Sequence, residues 1–226
     1  MSNGRLTLLQ VRLLQVLAPL KPPWTLTGGA ALAAVYTRHR ETRDLDLFWR
    51  ERSELGDVAI QAEGHIRAAG YDVEVSRSSP AFVRLRVRDK TEEVLVDLVA
   101  EPTPPTTTPD AVEIAGVRIQ VDTPREILTE KLCALLERSE VRDLLDIKAL
   151  VDHGVDLGEA LAAAPRKDGG FSPLAVAWLL KNFPLDRLAR ASGWTEDLTR
   201  DLDSFRQRLL TRLLSDSAPT ADRPTG

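Results

Sequence analysis

Three aspartates and a pair of glycines are the residues of this chain best suited to do chemistry. Asp44 and Asp46 sit in Asp44-Leu45-Asp46-Leu47-Phe48-Trp49, and Asp97 sits in Val94-Leu95-Val96-Asp97-Leu98-Val99. An acid inside an apolar strand is expensive to bury unless something positive neutralises it. Residues i and i+2 of a strand point to the same side, about 6.5–7 Å apart, so Asp44 and Asp46 share a face and Asp97 can join them from a neighbouring strand. Oxygen ligands in that arrangement suit a hard cation, Mg²⁺ with Mn²⁺ as its substitute, which keeps several waters and shares its shell with phosphate groups. In such a site the metal orients a triphosphate and one carboxylate, here Asp97, draws the proton from an attacking hydroxyl. Asp44, Asp46 and Asp97 are therefore both the candidate metal ligands and candidate catalytic acids.

Gly28-Gly29 lies upstream, between a short apolar segment and an alanine-rich one. Glycines at a strand–helix junction let backbone N–H groups approach an anion. The segment lacks the Gly-Lys-Ser/Thr ending of a Walker loop and is not a dinucleotide fingerprint. Arg38, Arg40 and Arg43 crowd the approach to the acids, with Arg43 the candidate for nucleotide contact. Further on, Lys131 stands among apolar Leu128 and Leu135, with Arg138 two turns along. Arg142, Asp143 and Asp146 open another helix. Asp143 and Asp146, one turn apart, either hold Lys131 or answer the helix dipole. Arg84, Arg86 and Arg88 alternate with Val83, Leu85 and Val87, giving one strand a cationic face that reads as a solvated edge or as a short track for nucleic-acid phosphates. His39, His65 and His153 show no ligand spacing.

Positioning these residues requires an α+β arrangement. Residues 6–18 have helical apolar spacing, 24–27 and 45–50 read as strands, and 30–39 as an Ala-rich helix starting at the glycines. A weaker helix ends at Gly70, and extended runs follow at 71–76, 81–88 and 94–100. The Pro/Thr-rich stretch 101–110 is a connector, and 112–119 a small hairpin. Thr123-Pro124-Arg125-Glu126 has the order of a capping box with proline at N1, and opens a helical region to about residue 214. The organisation expected is a first domain over 1–122, a helical domain over 123–214 that completes the active site, and a disordered tail over 215–226.

The 226 residues, 43% hydrophobic and 28% charged, describe an ordinary globular chain, and the net charge of −4 excludes a chain-wide basic field for nucleic acid. One cysteine, Cys133, fits a reducing cytoplasm and falls where a buried hydrophobe is expected. No apolar run is long enough for a membrane span and no signal peptide opens the chain, so the expected location is cytoplasmic.

Gly28-Gly29-Ala30-Ala31-Leu32-Ala33 with Arg40-Glu41-Thr42-Arg43-Asp44-Leu45-Asp46 resembles the nucleotide and metal motifs of the AbiEii/AbiGii nucleotidyltransferase toxins, in the DNA polymerase β-like superfamily. Lys131, Arg138 and Arg142-Asp143-Leu144-Leu145-Asp146 are similar to that family's later motifs. The resemblance implies a polymerase-β-like palm followed by a helical C-terminal region. It also implies transfer of a nucleotide from an NTP to RNA, with tRNA the expected acceptor, release of pyrophosphate, and restraint by an antitoxin. Carried over residue by residue, Gly28 and Gly29 hold the triphosphate, Gly29 through its backbone alone because the superfamily prefers serine there. Asp44 and Asp46 hold metal, Lys131 and Asp143 complete the site, and Asp97 matches the third carboxylate by order. A small-molecule acceptor such as an antibiotic, a protein side chain, or a silent nucleotide-binding module remain the alternatives.

Overall fold

The computed structural model describes residues 5–216; most of the tail expected over 215–226 lies outside them. The chain divides into two compact units, 1–127 and 128–226, and no helix among the described residues is long and apolar enough to cross a membrane.

The first unit is an α/β layer around a mixed sheet. Helix α1 (Leu8–Leu17) is capped by Thr7, whose hydroxyl accepts from the Gln10 N–H while the Gln10 side chain accepts from the Thr7 N–H. Strand β1 (Thr25–Thr27) runs directly into α2 (Gly28–Ala34), followed by β2 (Asp44–Arg50) and α3 (Val58–Ala68). Then come β3 (Asp72–Ser79), β4 (Phe82–Arg88), β5 (Glu93–Glu101), β6 (Asp110–Ile114) and β7 (Val117–Val121). Their order across the sheet is β3-β4-β5-β2-β1-β7-β6. Pairings β2/β5 and β1/β7 are parallel; the rest are antiparallel.

Two expectations change here. Helix α2 includes the glycines and stops at Ala34, not at residue 39. The N–H groups of Thr37 and Arg38 both turn back to the Leu32 carbonyl, with Arg38 at φ 50, so the alanine run's helix propensity is overridden by a tight turn. The hairpin near residues 112–119 is also longer than expected and belongs to the main sheet, because β7 lies parallel to β1.

Alternation along β2 sorts its two faces. Leu45, Leu47 and Trp49 are buried, while Asp44, Asp46, Phe48 and Arg50 are half-buried. Strand β4 alternates in the same way, with Val83, Leu85 and Val87 buried. Helices α1 and α3 pack on each other, α1 against β5 and α3 against β3 and β4, bringing Leu9, Leu13, Leu17, Ala62 and Ile66 into the core. The Trp49 indole N–H donates to the Pro22 carbonyl at 2.9 Å, and that of Trp24 to the Leu17 carbonyl at 2.8 Å, so both rings bury with their polar atom satisfied.

The second unit is helical. Helix α4 (Pro124–Arg138) begins in the first unit, where the Thr123 hydroxyl accepts from the Glu126 N–H at 3.2 Å. The Glu126 carboxylate takes the backbone N–H and the hydroxyl of Thr106, so the cap also pins the proline-rich connector. Next are α5 (Val141–Asp152), α6 (Leu157–Ala163), α7 (Pro173–Lys181), α8 (Leu185–Ala191) and α9 (Glu196–Asp216). Helix α9 buries Leu202, Phe205, Leu209 and Leu213 at helical spacing, packing on α5, α7 and α8.

Arg50, at the end of β2, forms an ion pair with Asp122 just after β7, and both side chains are buried. Removing one partner leaves the other charge buried with less compensation. Asp122→Ala should therefore lower the stability of this unit by about 3–5 kcal/mol, and Arg50→Met with Asp122→Leu should recover most of it. Urea unfolding followed by tryptophan fluorescence measures both; a single variant as stable as wild type would exclude this pair as a structural tie.

Candidate active site

Register places the first group of predicted residues together. On β2 and β5 the pairs run Asp44↔Leu95, Asp46↔Asp97 and Phe48↔Val99. Thr27 of β1 stands opposite Asp46, and Arg84 of β4 stands opposite Asp97. A single cross-strand row thus reads Thr27–Asp46–Asp97–Arg84, with Asp44 one step along β2 on the same face. Among the described residues, no three Asp, Glu, His or Cys side chains converge closely enough to hold an ion by themselves. Asp97 is buried, and Arg84 donates to it from Nε to Oδ1 and from Nη2 to Oδ2, each at 2.7 Å. That two-pronged, charge-assisted pair engages the third carboxylate.

Gly28 meets the row from the end of β1. It has φ +63, and a β-carbon built on it would collide with Oδ2 of Asp46. Only glycine combines this left-handed backbone with so close an approach, and the result is that the Asp46 carboxylate packs directly against the Gly28 backbone. At Gly29 a β-carbon would lie 2.9 Å from Nη2 of Arg40 and 3.1 Å from the Thr42 hydroxyl. Arg40, grouped with its neighbours in the sequence, is thus the arginine packed on the glycine pair. Arg43 is exposed, and its backbone carbonyl accepts from the Leu95 N–H at 3.3 Å.

Sequence reasoning missed two positioning residues. The buried Gln10 amide donates from Nε2 to the Thr42 carbonyl at 3.0 Å, while its oxygen caps α1. Thr42 in turn places its hydroxyl 3.4 Å from the Asp44 backbone nitrogen. A glutamine inside an apolar helical stripe was the available signal.

The arginine row of β4 is not a free cationic track. Arg84 is held by Asp97; Arg86 lies 3.7 Å from Glu74 and 3.6 Å from Glu93; Arg88 lies 2.7 Å from Glu93 with Asp72 and Glu74 at 3.7 Å. Cross-strand acids neutralise the row, as opposite charges on facing strands do.

The helical unit gathers the second group. Lys131 Nζ lies 2.9 Å from Asp143 Oδ1 and 2.8 Å from Asp146 Oδ2. Arg138 donates from Nε and Nη2 to the two oxygens of Asp143, each at 2.8 Å. The two acids of α5 therefore hold Lys131 of α4. Burial works against the lysine charge, but Asp146 and Asp143 outweigh it and raise its pKa above the ordinary lysine range. Lys131 is a permanent cation and not a proton shuttle. Burial likewise opposes the Asp143 charge, and Arg138 with Lys131 overcomes it, holding this carboxyl below its usual range. Cys133 is half-buried near the Ala164 carbonyl, and burial pushes its thiol up to about 12, which leaves it inert at neutral pH.

The sequence matches the family described as nucleotidyl transferase AbiEii toxin, type IV toxin–antitoxin system, over residues 12–221. The chain belongs to the AbiEii nucleotidyltransferase toxin family. No curated protein matches it. Among solved structures, MenT4, a nucleotidyltransferase toxin of Mycobacterium tuberculosis, is 18% identical with a TM-score of 0.64, the match covering 90% of this chain and 82% of that one. JHP933 from Helicobacter pylori is 20% identical with a TM-score of 0.52, covering 91% and 92% respectively. At these identities the likeness is one of fold: a mixed sheet followed by C-terminal helices. An AbiEii member is a nucleotidyltransferase, so an NTP is its substrate, and an antitoxin is its counterpart in the system the family is named for.

Because the Asp143 pKa is depressed by folding, the stability this carboxylate contributes is present above its unfolded value, about 3.9, and is lost as pH falls through the lower folded value. Asp143→Asn should cost the helical unit about 3 kcal/mol near neutral pH. In urea unfolding the gap to wild type should stay constant from neutral pH down to the carboxylate range and close only in acid. A gap that closes near neutrality would assign the effect to another group.

Proposed function

We propose that this chain transfers a nucleoside monophosphate from an NTP to a hydroxyl of RNA, with tRNA as the acceptor, using a divalent ion held by Asp44 and Asp46. The observation that carries this reading is the close approach of left-handed Gly28 to the Asp46 carboxylate, on the face that also presents Asp44 and, across the strand pair, Asp97. A strand edge with merely solvated acids has no need of a left-handed glycine against one of them.

The donor set fits the group. Two carboxylates at i and i+2 offer hard oxygen ligands, and Mg²⁺, or Mn²⁺ in its place, completes its shell with water and phosphate oxygens. When bound, such an ion neutralises charge on the triphosphate and polarises the α-phosphate. The chain's own residues do the rest. Backbone groups of Gly28 and Gly29 line the phosphate position, and Arg40, packed on Gly29, supplies positive charge there; Arg43, exposed nearby, adds to it. Asp97 takes the proton of the acceptor hydroxyl: each of its oxygens accepts one N–H from Arg84 and keeps a second acceptor position. The hydroxyl oxygen bonds to the α-phosphorus, the bond from that phosphorus to the bridging oxygen breaks, and pyrophosphate leaves with the electron pair. Within the helical unit, Lys131 is a fixed cation held between Asp143 and Asp146. Unrestrained, such transfer disables the acceptor RNA, which is how a toxin of this kind would act in the cytoplasm.

A small-molecule acceptor is the second reading, favoured by the neutralised β4 row: four acids, Asp72, Glu74, Glu93 and Asp97, face three arginines there, leaving that face without the excess positive charge an RNA backbone seeks.

Incubation with each of four α-³²P-labelled NTPs and Mg²⁺, against total RNA, tRNA and the protein alone, separates these readings. Label in tRNA that disappears in Asp44→Asn/Asp46→Asn is the expected result; label in the protein or in no RNA would overturn the acceptor. Gly28→Ala should reduce transfer by about 100-fold by displacing Asp46, while the left-handed backbone costs about 1–2 kcal/mol. Full activity in that variant would remove the close Gly28–Asp46 approach from the mechanism.

A further inference from the structure

The row that places Asp46 beside Asp97 carries its own cation. Arg84 faces Asp97 across β4 and β5, and its fork closes on both carboxylate oxygens at 2.7 Å. Among the described residues Arg84 is the hydrogen-bond partner of the Asp97 side chain, which is buried. A divalent ion that took Asp97 as a ligand would sit against the fixed positive charge of the Arg84 fork.

We propose that Arg84 is a built-in cation that occupies Asp97, so that the carboxylates of this chain hold one divalent ion, at Asp44 and Asp46, and Asp97 is kept off the metal. The inference rests on the metal reading given under the proposed function, and it separates two roles that a third carboxylate can combine: proton acceptor and ligand. Arg84 acts through Asp97 and is a positioning residue. Its place in the row is fixed by the β4/β5 register, with Val83, Leu85 and Val87 buried on the opposite face.

Counting Mn²⁺ sites on the full chain by electron paramagnetic resonance, with the metal alone as probe, tests this without reference to turnover. Wild type should bind one ion, Asp97→Asn should still bind one, and Arg84→Ala should gain a second as Asp97 becomes available. Asp44→Asn/Asp46→Asn should bind none. Two ions in wild type, loss of the ion in Asp97→Asn, or a folded Arg84→Ala that stays at one would each overturn the inference while leaving metal binding by Asp44 and Asp46 intact. Because the Asp97→Asn count does not depend on Arg84→Ala folding, the inference can fail on either variant. No ion in wild type, or wild-type binding in the Asp44/Asp46 double variant, would overturn the metal reading itself and this inference with it.

Discussion

Repulsion between like charges on adjacent strands is the constraint around which the sheet unit is organised. The parallel register of β2 and β5 sets Asp46 opposite Asp97. Neighbouring strands lie about 4.8 Å apart, and two unit charges about 5 Å apart at an effective dielectric constant of 20 repel by about 3 kcal/mol. The register cannot relax to avoid this. Leu45, Leu47 and Trp49 on β2 and Val94, Val96 and Leu98 on β5 are buried, and a slip by one residue would turn the aspartates into that core. Hydrophobic burial thus forces the acids together, and the charge of Arg84, itself fixed by the burial of Val83 and Leu85, offsets the cost at Asp97.

The helical unit meets the same constraint by a different geometry. Two acids on one face of α5 would repel each other in a buried setting; Lys131 of α4 bridges them, and Arg138 closes on both oxygens of Asp143. Two positive and two negative charges balance. Apolar residues of similar volume generally stabilise a core at least as well as such a network, so stability alone gives little reason for it. A fixed lysine charge is what the arrangement supplies that leucine could not.

How much of this was legible in the sequence follows from which interactions are local. The shared face of Asp44 and Asp46 is a property of strand periodicity, and the start of α4 at Thr123-Pro124 is a property of helix capping; both are written within a few residues. The pairing of Asp143 and Asp146 with Lys131 could be framed as one of two outcomes, because helical spacing put the acids on one face but not the lysine opposite them. The Arg84–Asp97 pair was out of reach: it depends on the β4/β5 register, which buried Val83, Val87, Val94 and Val96 help to fix across the two strands. Arg84 consequently read as one of three equivalent surface arginines. Likewise, β7 joins the sheet through a parallel partner almost a hundred residues earlier, a contact that no local pattern announces. The early end of α2 shows the converse error, where alanine propensity outlasts the helix.

Charge pairing on β4 also bears on where a polyanionic acceptor can be met. Arg86 and Arg88 share Glu74 and Glu93 between them, and Arg84 is held by Asp97. A phosphate backbone approaching that face would have to displace carboxylates from each arginine in turn, exchanging one charge-assisted contact for another with small net gain. Arg38 and Arg43 are exposed on the segment that leads into β2, and Arg40 between them packs on Gly29. Arg38 and Arg43 thus present exposed positive charge adjacent in sequence to Asp44 and Asp46. Such an arrangement suits a triphosphate better than a long nucleic-acid track, in keeping with a chain whose net charge is −4.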